Sequence, residues 1–256
     1  MGGYVRLDVD DGVGVIRLDR PPANAIDLAL AEDLHATIAE ASSRADVGAI
    51  VLWGGPKIFA AGADIKAMAT WGPDDVRPSV DALGAACDLL EEIDTVSIAA
   101  INGHALGGGC ELALACDLRY MARDATIGQP EIAIGVIPGA GGTQRLVRTI
   151  GPGRTRELVY FGRQVPGEEA LSLGLAERLL PADEVLDHAV EDARRLARGP
   201  RRALAAAKTA IAAAVATPGP AGIQAERRAF LALFGTPDQR EGMAAFLEKR
   251  EPRFGG

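Results

Sequence analysis

Short β-prone runs alternate with helical periods through the first half of this chain, and that alternation restricts it to an α/β architecture. Tyr4 to Val9 and Val13 to Leu18 are apolar-rich runs separated by Asp10-Asp11-Gly12, a hairpin signal. Leu28, Leu30, Ala31, Leu34 and Ile38 recur at helical spacing to about Ala41, with Asp27 placed as an N-cap. Ala49 to Trp53 reads as a buried strand. A helix over Val80 to Ile93 and a strand over Val96 to Ile101 follow, then a short helix from about Gly109 and a strand over Asp117 to Ala122. Beyond about residue 140 nearly everything is predicted helical, with breaks at Gly151-Pro152-Gly153, Gly174, Gly199-Pro200 and Pro218-Gly219-Pro220. The alanine-rich run Arg201 to Thr217 keeps a helical period through Leu204, Lys208, Ile211 and Val215.

With 256 residues, 48% apolar and 24% charged, a substantial core is affordable. The net charge of -8 opposes a general affinity for nucleic acid, which needs clustered cations against phosphates. Cys87, Cys110 and Cys116 have no CxxC spacing and lie in apolar segments, which predicts neither a disulfide framework nor a zinc site. A reducing, cytoplasmic setting is expected: the start of the chain has no leader pattern, and no apolar run reaches the ~18 residues of a membrane span.

Two segments of small residues follow predicted strands. Phe59-Ala60-Ala61-Gly62-Ala63-Asp64-Ile65-Lys66 is one; Asn102-Gly103-His104-Ala105-Leu106-Gly107-Gly108-Gly109 is the other. Small side chains let a ligand reach backbone N–H groups, and the second segment opens a helix, where the dipole favours negative charge. One N–H from each would form a two-donor pocket for a carbonyl oxygen that gains charge during reaction, as a thioester's does. Glu111 follows the second segment directly, and Glu131 follows Ile127-Gly128-Gln129-Pro130. Two carboxyls facing one substrate can take a proton from water and deliver one to carbon, which is the chemistry of adding water to a double bond.

These residues carry a resemblance to the enoyl-CoA hydratases of the crotonase (enoyl-CoA hydratase/isomerase) family. It runs from Leu18-Asp19-Arg20-Pro21 with Asn24-Ala25, through Ala61-Gly62-Ala63-Asp64 and Gly103 to Leu112. It continues through Gln129-Pro130-Glu131 and Ile137 to Leu146, into the closing Asp238 to Arg250 helix. The resemblance implies an α/β fold: a crotonase spiral of repeated ββα units holding the active site over 1–198. The helices of 199–256 would then pack against neighbouring subunits, in trimers or in hexamers made of two trimers. It implies that Ala63 and Gly108 supply the oxyanion N–H groups, that Ala61, Asp64, Ile65 and Lys66 line the path of the CoA thioester, and that Glu111 and Glu131 are the catalytic carboxyls. Lys249 is a cation for CoA by the same resemblance, reaching a neighbouring subunit. The implied reaction is reversible syn hydration of a 2-trans-enoyl-CoA, a lyase step used in fatty-acid β-oxidation among other pathways. Sister reactions of the family, enoyl-CoA isomerisation and hydration of branched or carboxylated enoyl-CoAs, are its alternatives. A non-catalytic acyl-CoA- or RNA-binding scaffold is the alternative of another class.

Other patterns point elsewhere and are weaker. Gly139-Ala140-Gly141-Gly142-Thr143-Gln144 partly mimics a dinucleotide fingerprint, but its final glycine is missing and Pro138 precedes it. It reads better as a helix start near the reacting atoms, with Gly139 adding a backbone donor. No metal-ligand spacing or GxSxG occurs, so no cofactor is expected beyond the CoA carried by the substrate, and no metal. His104 reads as a packing or orienting residue. Arg20 and Lys57 are further candidates to meet the anionic CoA. Phe230, Leu231, Leu233, Phe234 and Phe246 would need cover, which burial between subunits supplies.

Overall fold

In the computed structural model the first strands form as their alternation demands. The structure describes residues 3–216 and 219–255. The end of the predicted 201–217 helix at Thr217, the Pro218 break, the first two residues and Gly256 lie outside the described residues. β1 (Val5–Asp10) and β2 (Val13–Leu18) make an antiparallel hairpin. α1 (Leu28–Ser43) follows, its N-terminus capped by the Asp27 carboxylate accepting from Leu30 N at 2.9 Å. Its face of Leu30, Ala31, Leu34, Ile38 and Ala41 is buried.

A repeating unit then begins. β3 (Ala49–Trp53) is followed by β4 (Ile58–Ala60), the short α2 (Ile65–Met68) and α3 (Pro73–Glu92). β5 (Val96–Ile101) is followed by β6 (His104–Leu106) and α4 (Gly108–Ala115). β7 (Leu118–Ala122) is followed by β8 (Thr126–Gly128), a 3-10 turn over Glu131–Ile134 and α5 (Gly142–Phe161). Each turn of this spiral gives its first strand to a six-stranded sheet, order β1-β2-β3-β5-β7-β10, and its second to a four-stranded sheet, order β4-β6-β8-β9. β9 (Gln164–Pro166), α6 (Gly167–Leu173) and β10 (Arg178–Leu180) close the two sheets. The predicted α/β class and ββα spiral are both present.

Three expectations are corrected. The sequence reading assigns no strand to β4, β6 or β8, and β9 and β10 fall where it expects helix; three-residue strands are too short to show a period of two and are held by their neighbours. α3 begins at Pro73 rather than Val80, because Pro occupies the first helical turn, where its missing N–H costs nothing, and Asp74 and Asp75 favour the dipole. The Gly151 break is a kink inside α5, with non-helical backbone at Gly151.

The C-terminal part comprises α7 (Val185–Ala197), α8 (Arg201–Ala216), α9 (Pro220–Leu233) and α10 (Pro237–Glu248). The main core cluster includes Ala197, and α8 buries no side chain. α8 is instead tied down by polar bonds: Lys208 Nζ reaches Leu90 O at 2.8 Å and Asp117 Oδ2 at 3.0 Å. Among the described residues no helix is long and apolar enough to cross a membrane.

Buried Asn24 locks the loop that enters the site. Its Nδ2 donates to Gly54 O at 2.6 Å and Phe59 O at 3.0 Å, and its Oδ1 accepts from Arg20 N at 2.9 Å. Asn24→Ala leaves these buried groups unpaired and is expected to cost about 2 to 3 kcal/mol in urea denaturation.

Candidate active site

β4, β6 and β8 lie side by side and parallel, Ala60 opposite Ala105 and Leu106 opposite Gly128. Their C-terminal ends therefore open at one edge, the usual place for a ligand on a parallel sheet. β4 runs into Ala61–Asp64, β6 into Gly107–Gly108 and α4, and β8 into Gln129–Glu131. Three segments that are distant in sequence thus become neighbours.

The first segment is held by pairing with Ile26. Ile26 N donates to Gly62 O at 2.7 Å and Ile26 O accepts from Asp64 N at 3.3 Å, making a parallel bridge between Ile26 and Ala63. In such a bridge the Ala63 N–H points the other way, and it has no backbone acceptor among the described residues. The second donor is Gly108 N, at the first position of α4, where no acceptor exists one turn back. Gly107 makes this entry possible: its φ of 54° suits glycine, while its N–H is fixed by Gly128 O at 2.9 Å. A side chain on Gly62 would stand 3.0 Å from Leu106 O and 3.7 Å from Gly107 Cα, so the two small-residue segments pack directly together.

Both carboxyls converge on Gly107–Gly108. A Cβ on Gly107 would lie 3.1 Å from Glu131 Oε1, and one on Gly108 would lie 4.0 Å from Glu111 Oε2. Glu111 is 3% exposed. Its Oε1 accepts from Ala140 N at 2.7 Å and Gly142 N at 2.8 Å, while Oε2 has no hydrogen-bond donor among the described residues. Burial raises its pKa above the ordinary carboxylate value, and the two amides and Arg145 pull back toward the charged form. Glu131 is pushed up to about 7, first by burial and then by the charge of Glu111. The side-chain amide of buried Gln129 faces Glu131, 2.7 Å from Oε1 and 3.1 Å from Oε2; with its nitrogen on that side it donates to the carboxyl and aims it. Cys110 senses both acids: burial raises its thiol pKa well above normal, and Glu111 and Glu131 each add to that.

The remaining expectations divide. Ala61, Ala63, Ile65 and Lys66 are exposed on the loop and α2 beside the donors. The Asp64 carboxylate turns away to cap α2, accepting from Ala67 N at 3.3 Å, and to meet Arg20 Nη2 at 3.0 Å. Arg20 also contacts Asp27 at 2.9 Å and donates to Ala25 O at 2.7 Å, so it braces the loop after β4, and its charge is already paired. Gly139 is exposed, its Cα side against Val80, and the donors in use on its loop are Ala140 and Gly142, aimed at Glu111. His104 contacts Thr126 through Nδ1 at 2.7 Å, an orienting contact at the sheet edge. Lys249 is exposed at the C-cap of α10 with φ 57°, far in sequence from Glu111 and Glu131. Gln129 and Arg145 escaped the sequence reading. Arg145 carried a signal, because with Leu146 and Ile150 it falls on the inward stripe of α5.

This geometry agrees with what the chain is similar to. Residues 8–256 match the family model described as enoyl-CoA hydratase/isomerase. A probable enoyl-CoA hydratase of Mycobacterium leprae is 44% identical over 252 residues, 98% of this chain and 97% of that protein. The mitochondrial enoyl-CoA hydratase of Pongo abelii is 41% identical over 94% of this chain and 83% of that protein. The crystal structure of an enoyl-CoA hydratase from Bacillus anthracis superposes with a TM-score of 0.94 at 39% identity, covering 98% of each chain. A spiral whose small sheet delivers two amide donors and two carboxyls to one edge, matched in sequence and backbone nearly end to end, places this chain in the enoyl-CoA hydratase/isomerase family.

Proposed function

We propose that this enoyl-CoA hydratase adds water to 2-trans-enoyl-CoA thioesters by a syn mechanism run by Glu111 and Glu131. The thioester oxygen accepts from Ala63 N and Gly108 N, which stabilise the charge it gains as the double bond is attacked. Glu111 Oε2, left open because Oε1 is taken by Ala140 and Gly142, holds and activates the water. The water's hydroxyl bonds to C3 as its proton passes to Glu111. Glu131 delivers its own proton to C2. Both acids act from one side, hence syn addition, and proton exchange with solvent restores the resting pair. The observation that carries this reading is that Glu131 Oε1 and Glu111 Oε2 stand beside two successive glycines, Gly107 and Gly108. Incubation with crotonyl-CoA tests it: conjugated absorbance should fall as 3-hydroxybutyryl-CoA forms. No loss, together with turnover of a 3-enoyl-CoA, would make the protein an isomerase.

The pH dependence follows from the protonated donor. With Glu131 at about 7, hydration by free enzyme should fall as pH rises through that value, and dehydration should fall with it, because the reverse step needs Glu111 protonated and the reaction takes up no net proton. Profiles of kcat/KM in both directions, which should run parallel and fall above about pH 7, check this. The folded enzyme also binds this proton more tightly than the unfolded chain, whose ordinary value is 4.5. Glu131 therefore contributes stability below that value and loses it as pH rises through about 7.

The CoA path runs past Ala61, Ile65 and Lys66, with Lys249 of a neighbouring copy reaching the anionic end. A homotrimer, alone or paired into a hexamer, supports this: Phe230, Leu231, Phe246 and Leu247 of α9 and α10 are 59%, 67%, 83% and 79% exposed in one chain. The enzyme works in the cytoplasm, a placement supported by its three free, buried cysteines.

A further inference from the structure

We propose that Arg145 is a positioning residue for hydration, holding the backbone clamp that aims Glu111. This inference rests on the reading of Glu111 as the holder of water. The Arg145 side chain is 5% exposed, on the inward stripe of α5. Its Nη1 donates to Ala140 O at 2.6 Å. Its Nη2 is anchored on α3, by Asp88 Oδ1 at 2.8 Å and Glu91 Oε2 at 2.9 Å.

The connectivity gives these bonds their meaning. Ala140 O belongs to the peptide between Ala140 and Gly141. That peptide lies between the two whose N–H groups, Ala140 and Gly142, bind Glu111 Oε1 at 2.7 and 2.8 Å. Gripping the middle unit fixes the direction of the donors on either side. Gly141 is shaped to this contact: it has φ 99°, and a Cβ there would run into Arg145 Nη1 and stand 3.0 Å from Cζ. On the opposite side, a Cβ on Gly142 would lie 2.9 Å from Glu111 Cγ. The loop is thus threaded between the guanidinium and the carboxyl it serves.

The chemistry requires arginine. Its planar fork can serve a carbonyl and two carboxylates at once, whereas lysine presents a single compact charge. The cation also favours ionised Glu111, the form that accepts a proton from water. Asp88 and Glu91 keep the buried charge paired, so the guanidinium can sit near the site without becoming a ligand for the substrate.

The test measures crotonyl-CoA hydration by full-length Arg145→Met and Arg145→Lys, alone and combined with Glu111→Gln. The expected result is a kcat at least about tenfold lower in Arg145→Met, with KM within about twofold. The low-pH limb of hydration should move to higher pH, because Glu111 loses the cation that favours its charge. In the Glu111→Gln background the same substitution should change kcat by less than about twofold, since the effect passes through Glu111. Arg145→Lys should recover only part of kcat, and it gives the same readout if Arg145→Met does not fold. The proposal is overturned by a folded variant with kcat within threefold of the parent, by an unmoved pH limb, or by an equal loss in both backgrounds. A fully active Glu111→Gln single variant would instead overturn the reading of Glu111 itself.

Discussion

Glu131→Gln is expected to slow hydration at least about 10²-fold while leaving enoyl-CoA affinity near that of the parent, the scale of removing a positioned acid. Glutamine keeps the size and polarity of the side chain but has no proton that C2 can take. The proposed oxyanion donors lie on other segments, Ala63 on the loop held by Ile26 and Gly108 at the start of α4, so KM should stay put. Thermal melts supply the control for folding. Ionised Glu131 is a burden on the free enzyme above about pH 7, so the variant should melt no lower than the parent at pH 8, with any gain shrinking toward pH 5. Near-parental turnover in a folded Glu131→Gln protein would remove Glu131 from the proton-donor role.

The second large effect separates an amide proton from the space around it. Gly108→Ala and Gly108→Pro both add a Cβ, which would meet Leu83 Cδ2 at 2.9 Å, the far end of a flexible side chain. Only proline also removes the N–H. The first position of a helix tolerates proline, because its N–H has no partner within the helix. Proline should therefore fall about 10² to 10³-fold below alanine in kcat, equivalent to about 3 to 4 kcal/mol of lost oxyanion stabilisation. Equal rates for the two variants would show that Gly108 N carries no developing charge. A further fall from Ala to Pro in KM alone would assign the donor to ground-state binding.

The parts of this fold that could be read in the chain are those whose physics is local. β1, β2, β3 and β5 have five or six residues, long enough for apolar β-branched side chains to stand out, and α1 starts at Asp27 because a short acceptor side chain caps it. The smaller sheet escaped because β4, β6, β8 and β9 have three residues each, too few for a period. Glu111 and Glu131 stood out for the rigid, small-residue context around them. Gln129 and Arg145 did not, since a polar residue in sequence is ordinarily a surface residue, and its burial is known only when its partners are. Arg20 misled for the same reason: its charge is already engaged by Asp27 and Asp64.

By itself the order of residues determined the longer strands and the helices with a clear period, the two glycine- and alanine-rich turns, and the presence of two acids suited to moving protons. Only the tertiary structure decided that those turns and acids share one edge. That outcome depends on Ile58 pairing with His104 and His104 with Thr126, contacts that join equivalent strands of successive units of the spiral. Local preference carries no information about which strand becomes a neighbour; burial of the shared core and satisfaction of the ladder's hydrogen bonds make that choice. The same choice raises Glu131 to about 7, because the desolvation responsible exists only after the segments have closed around it.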